Sequence, residues 1–78
     1  MTRDDFREQV KILEIDSKAY DLDRRRPESY VLVTEHGTHK VGYSERGSVV
    51  GEQIFTDESA ALKYLLVLLT KDQTTRLR

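Results

Sequence analysis

Between Ala60 and Leu69 every residue but Lys63 is apolar or aromatic, and nothing else in the sequence limits the fold so strongly. A segment of that kind has to be covered, and a chain of 78 residues has little with which to cover it. Thr56-Asp57-Glu58-Ser59 stands immediately before it, offering side-chain oxygens for the free N–H groups of a first helical turn and negative charge for the dipole. A helix over 57–70 is predicted. It is about half the ~20 residues needed to cross a bilayer, and Lys63 interrupts it. Its apolar surface exceeds one stripe: Ala61, Leu65 and Leu68 form one line, Leu62, Leu66 and Leu69 another, and Val67 lies off both. Something besides a sheet must meet this helix, either another helix of the chain or a second copy of it.

The other helical pattern is N-terminal. Phe6, Val10 and Leu13 recur at i, i+4 and i+7, with Ile12 and Ile15 widening the stripe, Thr2 as cap and Asp4 and Asp5 in the first turn. A helix over 2–16 follows, then a connecting loop over 17–28 that holds the only proline, Pro27, with Tyr20 and Leu22 as anchors onto the core. From Ser29 the period falls to two. Strands are predicted over 29–35, 39–44 and 48–55, joined by turns at His36-Gly37-Thr38 and Glu45-Arg46-Gly47, with Gly51 marking a bulge or a close approach. Residues 71–78 read as a polar tail that frays. The fold class is therefore α+β, one domain over 1–78, with a three-stranded antiparallel sheet flanked by two helices in the order α-β-β-β-α.

Composition narrows the function. There is no cysteine, so neither a disulfide framework nor a thiolate zinc site can form, which favours a reducing, cytoplasmic setting. The first eight residues carry charges of both signs where a signal peptide would be apolar. Thirteen Lys and Arg against fourteen Asp and Glu leave a net charge of -1, without the basic excess that indiscriminate nucleic-acid or membrane binding requires. A domain this size buries only about 60–65% of its unfolded surface, so a binding surface is easier to build than a deep catalytic cavity.

His36 and His39 with Glu35 lack a further ligand at a metal-site spacing, and no metal or cofactor is expected. The two histidines, Tyr43, Glu45 and Arg46 would make an acid–base set with a cation for phosphate, but they fall at opposite ends of one strand, ~20 Å apart at 3.4 Å per residue, so no catalytic set is expected. Arg24-Arg25-Arg26 is neutralised by Asp21, Asp23 and Glu28 and reads as a solvated loop. The element order resembles the double-stranded RNA-binding domain, yet that module needs lysines where Thr56-Asp57-Glu58-Ser59 stands.

Tyr43-Ser44-Glu45-Arg46-Gly47, Gly51-Glu52, Phe55, Leu65-Leu66, Leu68-Leu69 and Asp72-Gln-Thr-Thr-Arg76, with Ala19-Tyr20-x-Leu22-Asp23 and Pro27-Glu28-x-Tyr30-Val31-Leu32, resemble a group of small bacterial immunity proteins. These are encoded beside polymorphic or contact-dependent growth inhibition toxins, and the likeness spans roughly Ala19 to Arg76. The group commonly has proline where Gln73 stands, which implies a less abrupt end to the second helix here. The resemblance implies a non-enzymatic cytoplasmic antidote whose partner is the C-terminal domain of a cognate toxin, a nuclease among the candidates. Carboxylates would then stand where such an enzyme meets phosphate. The candidate partner-binding residues are Tyr43, Glu45, Arg46, Glu52, Asp57 and Glu58. A homodimer through helix 57–70 is the second reading, and a double-stranded RNA-binding-like domain the third.

Overall fold

The computed structural model describes residues 1–77. Helix α1 (Arg3–Ile12) starts where Thr2 and Asp5 exchange hydrogen bonds in a capping box. It ends earlier than 16 because the chain turns at Glu14 (φ 56): the Ile15 amide donates to Val10 carbonyl and the Glu14 amide to Lys11 carbonyl. This is a Schellman stop, with the buried pair Val10 and Ile15 as its apolar clasp. Helix α2 (Glu58–Lys71) is capped by Asp57, whose carboxylate accepts from the Ser59 amide.

Four strands form the sheet: β1 (Tyr20–Leu22), β2 (Ser29–Glu35), β3 (Thr38–Glu45) and β4 (Ser48–Phe55), in spatial order β1-β2-β3-β4. The meander β2-β3-β4 is antiparallel. Its turns, His36-Gly37 and Arg46-Gly47, are two-residue loops with positive φ at both positions, the geometry that matches strand twist. Opposite Gly42, β4 carries both Gly51 (φ 66) and Glu52, so the bulge lies where Gly51 marks it. The close approach is at Gly42 instead, where a Cβ would stand 2.5 Å from Val49 Cγ1 and 2.9 Å from the Val50 carbonyl oxygen.

The sheet departs from the sequence expectation in having a fourth strand and being mixed, since β1 pairs parallel with β2. Residues 17–28, read as a loop, hold a 3-10 turn (Ser17–Ala19), this strand and a return of six residues to Ser29. Parallel neighbours ordinarily need a dozen or more residues of crossover. Here three paired residues leave only a short distance to travel back, and left-handed Asp23 and Glu28 reverse the chain at either end. Tyr20 and Leu22 do pack on the core.

Both helices lie on the face formed by Tyr30, Leu32, Val41 and Phe55, side by side with their N-termini together. At one end the Met1 amine donates to Ser59 Oγ (2.6 Å) and Arg3 reaches Glu58 (3.3 Å); at the other Arg76 reaches the Leu13 carbonyl of α1 (3.5 Å) and the Thr70 carbonyl of α2 (3.3 Å). Ala61, Leu62, Leu65 and Leu69 of α2 are buried with Phe6, Val10 and Ile15. Sheet and α1 thus take most of the surplus apolar surface, leaving Val67 43% exposed.

Residues 72–76 of the tail form a capped turn where fraying is expected, and Arg78, the last residue of that expectation, lies outside the described residues. Asp72 caps a second 3-10 turn (Gln73–Thr75), Thr75 is buried with its hydroxyl donating to the Leu69 and Asp72 carbonyls, and Ile15 bridges Arg76. Despite Gln73, α2 stops abruptly, because Asp72 leaves helical geometry (ψ 105) to cap that turn.

Candidate functional site

The helical face of the sheet continues past the C-terminal ends of α1 and α2, and a cleft of about 190 Å³ opens there. Its floor is the cross-strand pair Tyr30 and Tyr43, directly opposed on β2 and β3, with ring centroids 5.0 Å apart and planes inclined by 69°. One wall is the turn after α1, with Asp16, Lys18 and Ala19; the other is the turn after α2, with Asp72, Thr74 and Thr75; Glu28 closes the end where β2 begins.

Each wall is fixed by its own local chemistry. Asp16 accepts from the Lys18 amide (2.9 Å), setting the first turn. Asp72 does more: one carboxylate oxygen accepts from the Thr74 amide (3.0 Å) and hydroxyl (2.6 Å), the other from the Tyr30 hydroxyl (2.8 Å). Those bonds hold the Asp72 carboxyl below the usual carboxylate range, the Thr74 hydroxyl contributing most. Burial, and then the bond to Asp72, push the Tyr30 phenol up to about 12. No ion pair among the described residues involves Asp16, Glu28 or Asp72.

The candidates named from sequence are divided by the fold. Tyr43 is half-buried on the cleft floor, and Glu45 and Arg46 stand exposed at the adjoining β3–β4 turn. Glu52 is exposed at the bulge of the edge strand. Asp57 and Glu58 lie at the opposite end of β3, about 20 Å away by strand rise. Both have local partners there: Asp57 caps α2, while Glu58 meets Arg3 and lies 4.0 Å from His39 Nδ1. Arg3 also forms a two-pronged contact with Asp23 (2.6 and 3.1 Å), which lowers the Asp23 carboxyl, so this end is an internally paired network.

His39 lies on β3, its ring largely covered and within 2.9 Å of the Thr34 hydroxyl. Among the described residues no group of three or more His, Asp or Glu is arranged to hold a metal ion. The arginine run lies against the sheet face away from the helices: Arg25 meets Glu35 (3.3 Å) and Arg26 meets Asp21 (3.6 Å). Among the described residues no helix is long and apolar enough to cross a membrane.

Of the candidate partner-binding residues named from the sequence, Tyr43 alone lines this cleft, and Asp16, Lys18, Asp72 and Thr74, which line it too, are not among them. The Asp-x-Thr spacing at 72–74 is the signal for the second wall, since an aspartate accepting from the amide two residues on is a turn former.

Fold and site together define a small α+β domain, a mixed sheet covered on one face by two helices, with an acidic, aromatic-floored cleft at its end. No protein-family model, curated protein or solved structure matches the chain.

Proposed function

We propose that this protein is an immunity protein, which binds a cognate bacterial toxin domain and occludes its active site. The observation that supports this reading is a convergence. Ala19, Glu28 with Tyr30, Tyr43, and Asp72 with Thr74 and Thr75 come from four separate stretches that carry the resemblance to immunity proteins, and all line one cleft. Thr75 is buried and Ala19 and Tyr30 pack against the core, while Glu28 and Thr74 stand exposed at the cleft, with Glu45 and Arg46 exposed at the next turn. Carboxylates that form no ion pair among the described residues favour a basic partner, as a toxin acting on nucleic acid would be, through faster association and charge-matched docking.

The test is co-expression with the C-terminal domain of the toxin encoded beside the gene. Restored growth and a co-purifying complex of the two chains are expected. A toxin domain that neither binds this protein nor is neutralised by it would contradict the proposal.

A further inference from the structure

We propose that the cleft between the Asp16 and Asp72 turns is a socket for one arginine side chain of a protein partner. The inference rests on the proposed function in taking that partner to be a basic toxin domain, and it names the group the partner inserts.

Size sets the first limit. About 190 Å³ is below the roughly 300–1,000 Å³ of ordinary small-molecule pockets, so there is room for one long side chain and not for a cofactor or a folded segment. Charge sets the second. Three acidic residues, Asp16, Glu28 and Asp72, line the cleft with one basic residue, Lys18, and none of the three is in an ion pair among the described residues. The Asp72 carboxyl stays ionised because Thr74 and Tyr30 donate to it, so an anion entering here would be repelled.

The backbone adds to the same field. Both helices end at this side of the molecule, bringing their partial negative charge with them. Arg76 already answers it from within, its guanidinium on the Leu13 carbonyl of α1 and the Thr70 carbonyl of α2. The floor then selects among cations. A guanidinium is planar: it can lie on the aromatic surface of Tyr43 while its edges donate to flanking carboxylates, which a compact, strongly hydrated ammonium does less well. Tyr30 cannot swing aside to fill the space, because its hydroxyl is held by Asp72 at 2.8 Å.

The probe is a blocked amino acid, Nα-acetyl-arginine amide, titrated into the isotope-labelled full chain and followed by NMR. The neutral isostere Nα-acetyl-citrulline amide and Nα-acetyl-lysine amide serve as comparisons. The arginine probe is expected to shift the amides of Ala19, Tyr30, Tyr43 and Thr74 with a Kd on the order of millimolar, as one unanchored side chain should. The lysine probe should bind several-fold more weakly and the citrulline probe not measurably. Glu28→Gln, at an exposed position, should weaken the arginine probe several-fold, and Lys18→Gln should tighten it by removing the competing cation, both with the spectrum of the folded chain retained. Equal shifts from citrulline, or shifts at Asp57 and Glu58 in place of the cleft, would overturn the socket. A bound arginine probe together with a toxin domain that does not bind would leave the socket standing and remove the immunity reading. Toxin binding with no probe response would do the reverse.

Discussion

Tyr30 shows how one side chain links the core to the cleft. Its ring packs on the helical face, its edge meets Tyr43, and its hydroxyl donates to Asp72, so loss of the hydroxyl alone should loosen the second wall without emptying the core. The phenol titrates at about 12 in the folded chain against 10.0 for an unperturbed tyrosine. Its stabilising contribution is complete below pH 10, where both states hold the proton. That contribution falls as pH rises toward 12, because the unfolded chain releases the proton first. Absorbance titration should therefore show a tyrosine step near pH 12 that Tyr30→Phe abolishes. The same substitution should cost about 1.5–3 kcal/mol at neutral pH, the size of a hydrogen bond to a charged group. Asp72 works with the opposite sign: its contribution is present above the ordinary carboxylate range and is lost as pH falls through its lowered folded value. A titration curve that Tyr30→Phe leaves unchanged near pH 12 would refute the described contact.

At the scale of elements, two short segments determine the site, and they are the two that local patterning hid. Helix α1 was legible from its apolar stripe, α2 from a capped apolar run, and the meander from β-branched and aromatic residues separated by two turns that each carry a glycine at the second position. The strand β1 is three residues long, too short for alternation to show, and its pairing follows from where the six-residue return lands. The C-terminal turn is polar in sequence, and its order comes from hydrogen bonds rather than apolar burial, with Thr75 donating to two carbonyls inside the protein. That is why hydrophobic patterning missed it and half of the cleft with it. Thr75→Val keeps the shape and leaves those carbonyls without the hydroxyl, so it should lower stability by about 1–3 kcal/mol in denaturant unfolding. Gly42→Ala tests the bulge. The new methyl would press on Val49 and on the Val50 carbonyl oxygen, and since backbone cannot yield cheaply, a loss of roughly 2 kcal/mol or more is expected. Either substitution proving neutral would mean that the contact it targets is not made.

For the whole molecule, the distribution of charge matters more than its near-zero sum. At the N-terminal end of the helix pair, Arg3 forms ion pairs with both Asp23 and Glu58, so these acidic residues already have partners within the chain. At the C-terminal end the cleft carboxylates are left without ion-pair partners among the described residues, over an aromatic floor. The proposed antidote would meet its toxin there, at an end bounded by the β3–β4 turn. The most direct measurement is hydrogen exchange on the complex with the cognate toxin domain, compared with the free chain. The account expects added protection at residues 16–19, 28–30, 43–47 and 72–75, with little change around Asp57 and Glu58. Protection confined to the helix N-termini, or a complex that leaves the cleft exchanging as in the free chain, would contradict it.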